Sequence, residues 1–125
     1  MTIEQTSAPR AALYLRSSVA DDEQVDHQRR ALEALAVLKG WRVVEVFVDH
    51  GSSSPAGLDQ RPGLAKLLHA VAQRQFDVLV TSSLDRLTRS LWKMVMILDT
   101  IGAAGVYLHV ASSSSDISGA PERPR

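Results

Sequence analysis

The stretch FDVLVTSSLDRLTRS, residues 76–90, decides the fold, because a strand pattern gives way to a helical one within it. Residues 76–81 form a short apolar run with β-branched side chains, which is typical of a buried strand. Leu84, Leu87 and Leu91 then follow at three- and four-residue spacing, which predicts one buried face on a turn that leads into a helix. The charged residues between these leucines are thereby directed away from the core.

The charged side chains of this stretch are an aspartate and two arginines, Asp85, Arg86 and Arg89. Residues three apart on a helix are neighbours, so Arg86 and Arg89 would repel each other unless an anion lay between them. The planar guanidinium matches phosphate oxygens two at a time, and ligands of open α/β sheets bind where the strands end. The pattern therefore indicates a phosphate site, although a solvated helix face whose arginines pair with nearby acids explains it as well.

The rest of the chain repeats the alternation of strand and helix. We expect strands at residues 11–16, 41–49, 76–81 and 106–110, and helices at residues 25–39, 63–74 and 90–104. Gly40 and Gly105 each follow a helical pattern, at the place where glycine commonly ends a helix. This order predicts one α/β domain of three layers, in which helices cover both faces of a mostly parallel sheet.

Apolar periodicity also predicts the core and the limits of the domain. The predicted core positions of the first and last helices are Val25, Leu32, Leu35, Ala36, Leu38, Leu91, Met94, Met96, Ile97, Leu98 and Ile101. We expect Trp41 and Trp92 to pack in the core as well, because tryptophan is highly buried on average. Composition predicts a disordered leader at residues 1–10, the domain at residues 11–118 and a tail at residues 119–125.

Composition argues against several classes of protein. The 14 basic and 14 acidic residues give zero net charge, so phosphate binding must come from local clusters rather than from a general attraction to nucleic acid or lipid. The absence of cysteine excludes disulfides and thiolate metal sites, which suits the cytoplasm. The four histidines are scattered, and Walker and Gly-x-Gly-x-x-Gly motifs are absent, so we expect no metal and no cofactor. We expect no secretory signal and no contact with a membrane.

Polar side chains follow three of the predicted strands, and the carboxyl ends of parallel strands share one edge of a sheet. They are Arg16 and Ser18 after the first strand, Asp49 and, beyond a long polar loop, Arg61 after the second, and Asp85, Arg86 and Arg89 after the third. A serine is a weak nucleophile, but arginines can hold a phosphodiester near it and neutralise the charge that develops on the phosphate oxygens. The set indicates phosphoryl transfer from a diester to Ser18, although Ser18 alone fits a loop or cap serine as well.

Four motifs in this order resemble those of the serine recombinases, the resolvase/invertase family. They are Tyr14-Leu15-Arg16-Ser17-Ser18, similar to Tyr-x-Arg-x-Ser; Gln28-Arg29-Arg30-Ala31-Leu32, similar to Gln-x-x-Ala-Leu; Arg61-Pro62-Gly63-Leu64, similar to Arg-Pro-Gly-Leu; and Leu84-Asp85-Arg86-Leu87-Thr88-Arg89, similar to Leu-Asp-Arg-Leu-x-Arg. The resemblance covers roughly residues 11 to 118, and the agreement of separate pieces makes it strong.

The resemblance implies the resolvase-type catalytic domain of an enzyme that cuts and rejoins duplex DNA at a specific recombination site, as in DNA resolution, inversion or integration. Ser18 would be the nucleophile, which forms a 5′-phosphoserine bond and releases a 3′-hydroxyl without a metal or nucleotide. Arg16, Arg86 and Arg89 would grip the scissile phosphate, and Arg61 would complete the cluster from the loop.

The resemblance also implies supporting roles. Asp85 would orient an arginine or assist proton transfer, and Gln28 would position Arg16 or the phosphate. Tyr14 and Asp49 would support the same site. The full-length protein would form dimers that pair into tetramers on DNA.

The chain departs from the family in three respects. His50-Gly51-Ser52-Ser53-Ser54-Pro55 is a degraded version of the family's Gly-x-Ser-Gly loop, and we assign no role to a serine in it. Ser17 stands where the family usually has an apolar residue, which leaves two adjacent serines, and the Arg-x-Ser spacing favours Ser18. We expect the family's long dimer helix and its DNA-binding domain to be absent, so that the domain is inactive or weak in isolation. A truncated, non-catalytic α/β module that associates with recombinases is the alternative.

Overall fold

The structure, a computed structural model, describes residues 8–17, 22–50 and 62–111. Its strands are β1 (Arg10–Ser17), β2 (Arg42–His50), β3 (Val78–Thr81) and β4 (Tyr107–Val110). Its helices are α1 (Asp22–Lys39), α2 (Pro62–Ala72), α3 (Leu84–Leu87) and α4 (Leu91–Ala103). The predicted alternation of strand and helix is confirmed, except that the region after β3 contains two helices.

The described strands form one sheet in the order β2-β1-β3-β4. β1 is parallel to both β2 and β3, and β3 is parallel to β4. The first strand in sequence therefore lies inside the sheet. The carboxyl ends of all four strands point towards the same edge, as the alternation predicts.

Side chains of β1 alternate between two hydrophobic cores, one on each face of the sheet. Ala12 and Tyr14 pack with residues of α2 and α4, whereas Leu13 and Leu15 pack with residues of α1. All four side chains are completely buried. Burial on both faces requires helices on both faces, so the three-layer α/β fold is confirmed.

Two glycines end helices and turn the chain directly into a strand. Gly40 and Gly105 have φ values of 78° and 75°, in the left-handed region that favours glycine. The N–H of Gly40 donates to the Val37 carbonyl at 3.1 Å, and the next N–H, of Trp41, donates to Ala36 at 2.9 Å. Gly105 and the residue after it repeat this double closure on α4. Both predicted helix ends are confirmed, as is the burial of Trp41.

Four side chains that we expect in the core lie on the surface. Leu38, Leu91, Trp92 and Met96 are 81%, 80%, 73% and 54% exposed, so these predictions were wrong. Leu38 stands two residues after buried Ala36 and therefore falls on nearly the opposite side of α1.

The error at Leu91 comes from the break between α3 and α4. α3 ends at Leu87, and Thr88 takes an extended conformation. α4 then begins after Ser90, whose hydroxyl accepts a hydrogen bond from the backbone N–H of Lys93 at 3.2 Å. The leucine spacing that starts at Leu84 does not continue as one helix, because this new N-cap resets which face is buried.

At the amino edge of the sheet, an ion pair joins the start of β1 to the residue before β3. Arg10 donates from Nη2 to Oδ1 of Asp77 at 3.2 Å and from its backbone N–H to Oδ2 at 2.8 Å. Partial burial raises the pKa of Asp77, but the hydrogen bonds from Arg10 and the charges of Arg10 and Arg42 outweigh it, so the pKa lies below its ordinary value. The hydrogen bond to Asp77 raises the pKa of Arg10, against a smaller opposing effect of burial.

Replacing Asp77 with Asn should lower the free energy of unfolding at neutral pH by about 0.5–1 kcal/mol, a small amount because solvent screens a pair that is 40% and 47% exposed. The folded-state pKa of Asp77 is depressed, so its contribution is fully present above the ordinary carboxyl pKa of about 4 and is lost as the pH falls through the folded-state value. Urea unfolding of both proteins at neutral and strongly acidic pH measures the difference.

The matched control is Glu33→Gln, which breaks the exposed pair of Arg29 and Glu33 within α1 and should cost only about 0.3–0.5 kcal/mol. If the difference in free energy of unfolding between wild type and Asp77→Asn stays constant down to strongly acidic pH, the stabilising role assigned to the ionised Asp77 is contradicted.

Candidate active site at the carboxyl edge of the sheet

The carboxyl ends of β1, β2 and β3 meet at one edge of the sheet. Ser17 and His50, the last residues of β1 and β2, pair with each other across the ladder. α3 begins three residues after the end of β3, at the same edge. This edge therefore brings together Arg16 near the end of β1, Asp49 near the end of β2, and Asp85 and Arg86 in α3.

Asp49 is a buried carboxylate, only 2% exposed, that joins three elements. Its Oδ2 accepts hydrogen bonds from the hydroxyl of Tyr14 in β1 at 2.7 Å and from the backbone N–H of Leu64 at 2.8 Å. Its Oδ1 accepts one from the backbone N–H of Gly63 at 2.7 Å. The first N–H groups of a helix have no partner within the helix, and the helix dipole favours negative charge there. Asp49 thus fixes the start of α2 against β1 and β2.

Gly63 makes this close approach possible. A Cβ atom at this position would lie 2.6 Å from the carbonyl oxygen of Val48 and 2.9 Å from the carboxyl carbon of Asp49. Pro62 precedes it at the first position of α2, where a missing N–H costs nothing. The Pro-Gly-Leu sequence therefore has a structural reason. Proline suits the first position of the helix, glycine allows the close approach to Asp49, and the backbone N–H groups of Gly63 and Leu64 donate to its carboxylate.

The backbone of Arg16, near the end of β1, is held from two sides. The side chain of Gln28, on α1, donates to the Arg16 carbonyl at 3.1 Å and accepts from the Arg16 N–H at 3.4 Å. Nη1 of Arg86, on α3, donates to the same carbonyl at 2.7 Å. The guanidinium of Arg86 and the end of β1 are thus in direct contact, although 70 residues separate them in the chain.

The other charged residues of this region are more open to solvent. Asp85 and Arg89 are exposed, whereas Arg86 is half-buried. Arg86 and Arg89 were expected to be neighbours on one helix. This prediction was wrong, because α3 ends at Leu87 and Thr88 is extended. Of the two arginines, Arg86 is the one whose side chain forms a described hydrogen bond with the end of β1.

A contact between Ser17 and His50 was missed by sequence reasoning. The hydroxyl of Ser17 lies 3.2 Å from Nδ1 of His50, and Ser17 is fully buried. The only signal in the sequence was that each residue directly follows a predicted strand; which strands are neighbours, and in what register, is not visible there.

Two predicted site residues, Ser18 and Arg61, lie outside the described residues. The predictions that Ser18 is the nucleophile and that Arg61 completes the cluster therefore stay predictions. The leader and tail predicted at the two ends also fall mostly outside the described part of the chain.

Within the three described ranges, no three His, Cys, Asp or Glu side chains are grouped so that they could hold a metal ion. None of the described helices is long and apolar enough to span a membrane.

The chain matches the family described as Resolvase, N terminal domain, over residues 11–123. Among curated proteins, no significant match is found.

Solved structures give the same result. The chain is 35% identical to the C-terminal catalytic domain of ISC1926 TnpA, an IS607-like serine recombinase, with a TM-score of 0.71 over 84% of this chain and 71% of that one. It is 26% identical to the N-terminal catalytic domain of TP901-1 integrase, with a TM-score of 0.75 over 89% and 84% of the two chains. A resolvase family recombinase from Streptococcus pneumoniae, 18% identical with a TM-score of 0.75 over 87% and 76%, shares the fold.

Replacing Gly63 with Ala should lower the free energy of unfolding by about 2 kcal/mol, because the added methyl group must displace backbone rather than a flexible side chain. Gly102→Ala on α4 is the matched control, since a Cβ there meets nothing within 4 Å. That variant should be neutral or more stable by up to about 1 kcal/mol. Chemical denaturation measures both, and equal effects of the two substitutions would contradict the role assigned to Gly63.

Proposed function

This chain belongs to the resolvase family and has the catalytic-domain fold of the serine recombinases, and from that premise we propose that it cuts and rejoins duplex DNA through a 5′-phosphoserine intermediate. The observation that carries the proposal is the 2.7 Å hydrogen bond between the Arg86 guanidinium and the Arg16 carbonyl. It joins the strand that precedes Ser18 to the short helix that carries Asp85 and Arg86.

In the proposed step, the Ser18 hydroxyl oxygen attacks a DNA phosphorus and forms a phosphoserine ester. The bond between phosphorus and the 3′-oxygen breaks, the serine hydroxyl loses its proton, and the departing 3′-oxygen takes up a proton to become a free 3′-hydroxyl. The broken diester is replaced by another phosphodiester of similar energy, so rejoining is the reverse attack by a 3′-hydroxyl. No external energy source is required.

The arginines supply the electrostatic part of the proposal. Arg16, Arg61, Arg86 and Arg89 would bind the phosphate oxygens and stabilise the charge that grows on them in the transition state. Asp85 would orient one of these arginines or accept the serine proton, and its position in the first turn of α3 supports a role close to Arg86. Gln28 would act through Arg16, whose backbone it holds on both the N–H and the carbonyl.

Tyr14 and Asp49 act further from the phosphate. Their mutual hydrogen bond and the two bonds from the start of α2 support a positioning role, in which the buried carboxylate sets the direction of the chain that follows Arg61. We propose cytoplasmic DNA as the substrate. With zero net charge the chain alone should bind DNA weakly, so its activity in isolation should be low. No observation in the described residues favours the non-catalytic module.

Ser18→Ala should abolish formation of a covalent protein–DNA adduct, a loss of at least about a thousandfold, because no other hydroxyl takes the nucleophile's place. The chain is fused to a sequence-specific DNA-binding domain and incubated with duplexes that carry two binding sites around a randomised core. Adducts are trapped by denaturation, and mass spectrometry after nuclease digestion identifies the modified residue.

Ser17→Ala serves as the control for the site of modification: it should still form the adduct at Ser18, although more slowly, since a buried neighbouring hydroxyl should not be the modified residue. Wild-type protein modified at Ser18 supports the proposal. An adduct that persists in Ser18→Ala, or modification of another serine, would refute the assigned nucleophile.

We propose further that α4 contacts a second copy of this chain. Its outer surface exposes Leu91, Trp92, Val95 and Met96, a stripe of large apolar side chains on one helix. Exposed apolar surface of this kind marks an interaction site, and in a twofold pair of copies the stripe of each would be buried against that of the other.

Trp92→Glu should shift the chain towards monomer, because a charge replaces the largest apolar side chain of the stripe. Sedimentation velocity over a range of concentrations should show dimers for wild type and at least about a tenfold weaker association for the variant. Leu38→Glu on α1 is the matched control, with an equally exposed leucine and no expected effect. Equal association of wild type and Trp92→Glu would overturn this interface.

A further inference from the structure

We infer that His50 is a positioning residue for the serine chemistry, acting through its contact with Ser17 on the strand end that leads into Ser18. The inference rests on the proposed function, and it adds a residue that lies outside the motifs that carry the resemblance. It concerns the geometry of attack and not the supply of a proton to DNA.

The contact joins the last residues of two neighbouring parallel strands. Nδ1 of His50 lies 3.2 Å from Oγ of Ser17, and the two residues also pair in the ladder between β1 and β2. The hydroxyl either donates to a neutral Nδ1 or accepts from an Nδ1–H, so the bond can form in either tautomer. A strand end usually frays, and a side-chain bond at the final pair opposes this fraying.

Burial decides what this serine–histidine pair can do. A serine within hydrogen-bond reach of an imidazole is the usual arrangement of an activated nucleophile. Ser17, however, has no exposed surface, and its side chain is turned inside the protein, where a duplex phosphate cannot reach it. The pair therefore acts on the strand and not on DNA.

Gln28 and Arg86 act one residue earlier on this strand end than the histidine does. Gln28 and Arg86 both hold the backbone of Arg16. His50 holds the side chain of Ser17, the direct neighbour of the proposed nucleophile. A displacement of about 1 Å at a reacting atom can reduce a rate by about a hundredfold, so a restraint at the adjacent residue matters for attack.

The same histidine also closes β2, after which the chain runs to Arg61 and α2. Asp49, the residue before it, holds the start of α2. The Ser17–His50 bond thus joins the end of β1 to the end of β2, the strand whose Asp49 fixes the start of α2.

The test is a double-mutant cycle on the rate of adduct formation, with the fusion protein and the randomised-core duplexes described above. His50→Ala and Ser17→Ala should each slow formation of the Ser18 adduct by about tenfold, and the double variant should be no slower than either single variant. His50→Asn should recover most of the wild-type rate, because its side-chain amide places a polar atom the same number of bonds from the backbone as Nδ1. His69→Ala, at an exposed histidine on α2, is the matched control and should change nothing.

Each outcome decides the inference. A wild-type rate in His50→Ala, additive losses in the double variant, or an Asn variant no faster than the Ala variant would overturn it. Thermal unfolding of each variant identifies a loss of rate that is due to misfolding. If His50→Ala misfolds, the rate of adduct formation by His50→Asn, compared with wild type and with Ser17→Ala, decides the inference. Wild-type protein that forms no adduct would refute the proposed function and the inference together, whereas an adduct unaffected by His50→Ala refutes the inference alone.

Discussion

The buried carboxylate of Asp49 is the constraint on which the arrangement of the site depends. It lies at the end of β2, where it accepts hydrogen bonds from a tyrosine on β1 and from the first backbone N–H groups of α2. A charge with so little access to water is tolerated only when its oxygens are satisfied, and here three donors satisfy them. In return the carboxylate fixes the helix start to the strand ends, and it leaves room at position 63 for nothing larger than glycine.

A second set of contacts makes the end of β1 rigid. Gln28 from α1 and Arg86 from α3 approach the Arg16 backbone from different elements, and His50 from β2 contacts the side chain of Ser17. Three elements from distant parts of the sequence thus converge on two consecutive residues. This convergence suits the nucleophile proposed on the following residue, since a rigid scaffold holds a reacting group in place better than a loop does. Arg86 takes part in the scaffold as well as in the proposed phosphate contacts, so its side chain would be held in place before DNA arrives.

The amino and carboxyl edges of the sheet are held by different kinds of interaction. At the amino edge, a half-exposed ion pair between Arg10 and Asp77 ties β1 to the start of β3. At the carboxyl edge, the ties are buried or half-buried bonds to backbone atoms and to a buried carboxylate. Exposed ion pairs contribute little to stability, whereas buried charges and backbone groups are costly to leave without partners. The interactions that would be most costly to lose therefore lie at the edge where the chemistry is proposed. On the outside of one helical layer, α4 exposes its apolar surface.

Local patterns in the sequence determined the order of strands and helices, the glycine helix ends at Gly40 and Gly105, the parallel three-layer fold and the motifs that show the family. These follow from interactions between residues close together in the chain, which periodicity and helix-capping rules describe. Only the tertiary structure decided which strands are neighbours, and hence that Ser17 meets His50 and that Arg86 reaches the Arg16 carbonyl. It also decided that Trp92 and Met96 face outwards, because a periodic pattern shows that a helix has an apolar face but not whether this domain supplies a surface to cover it.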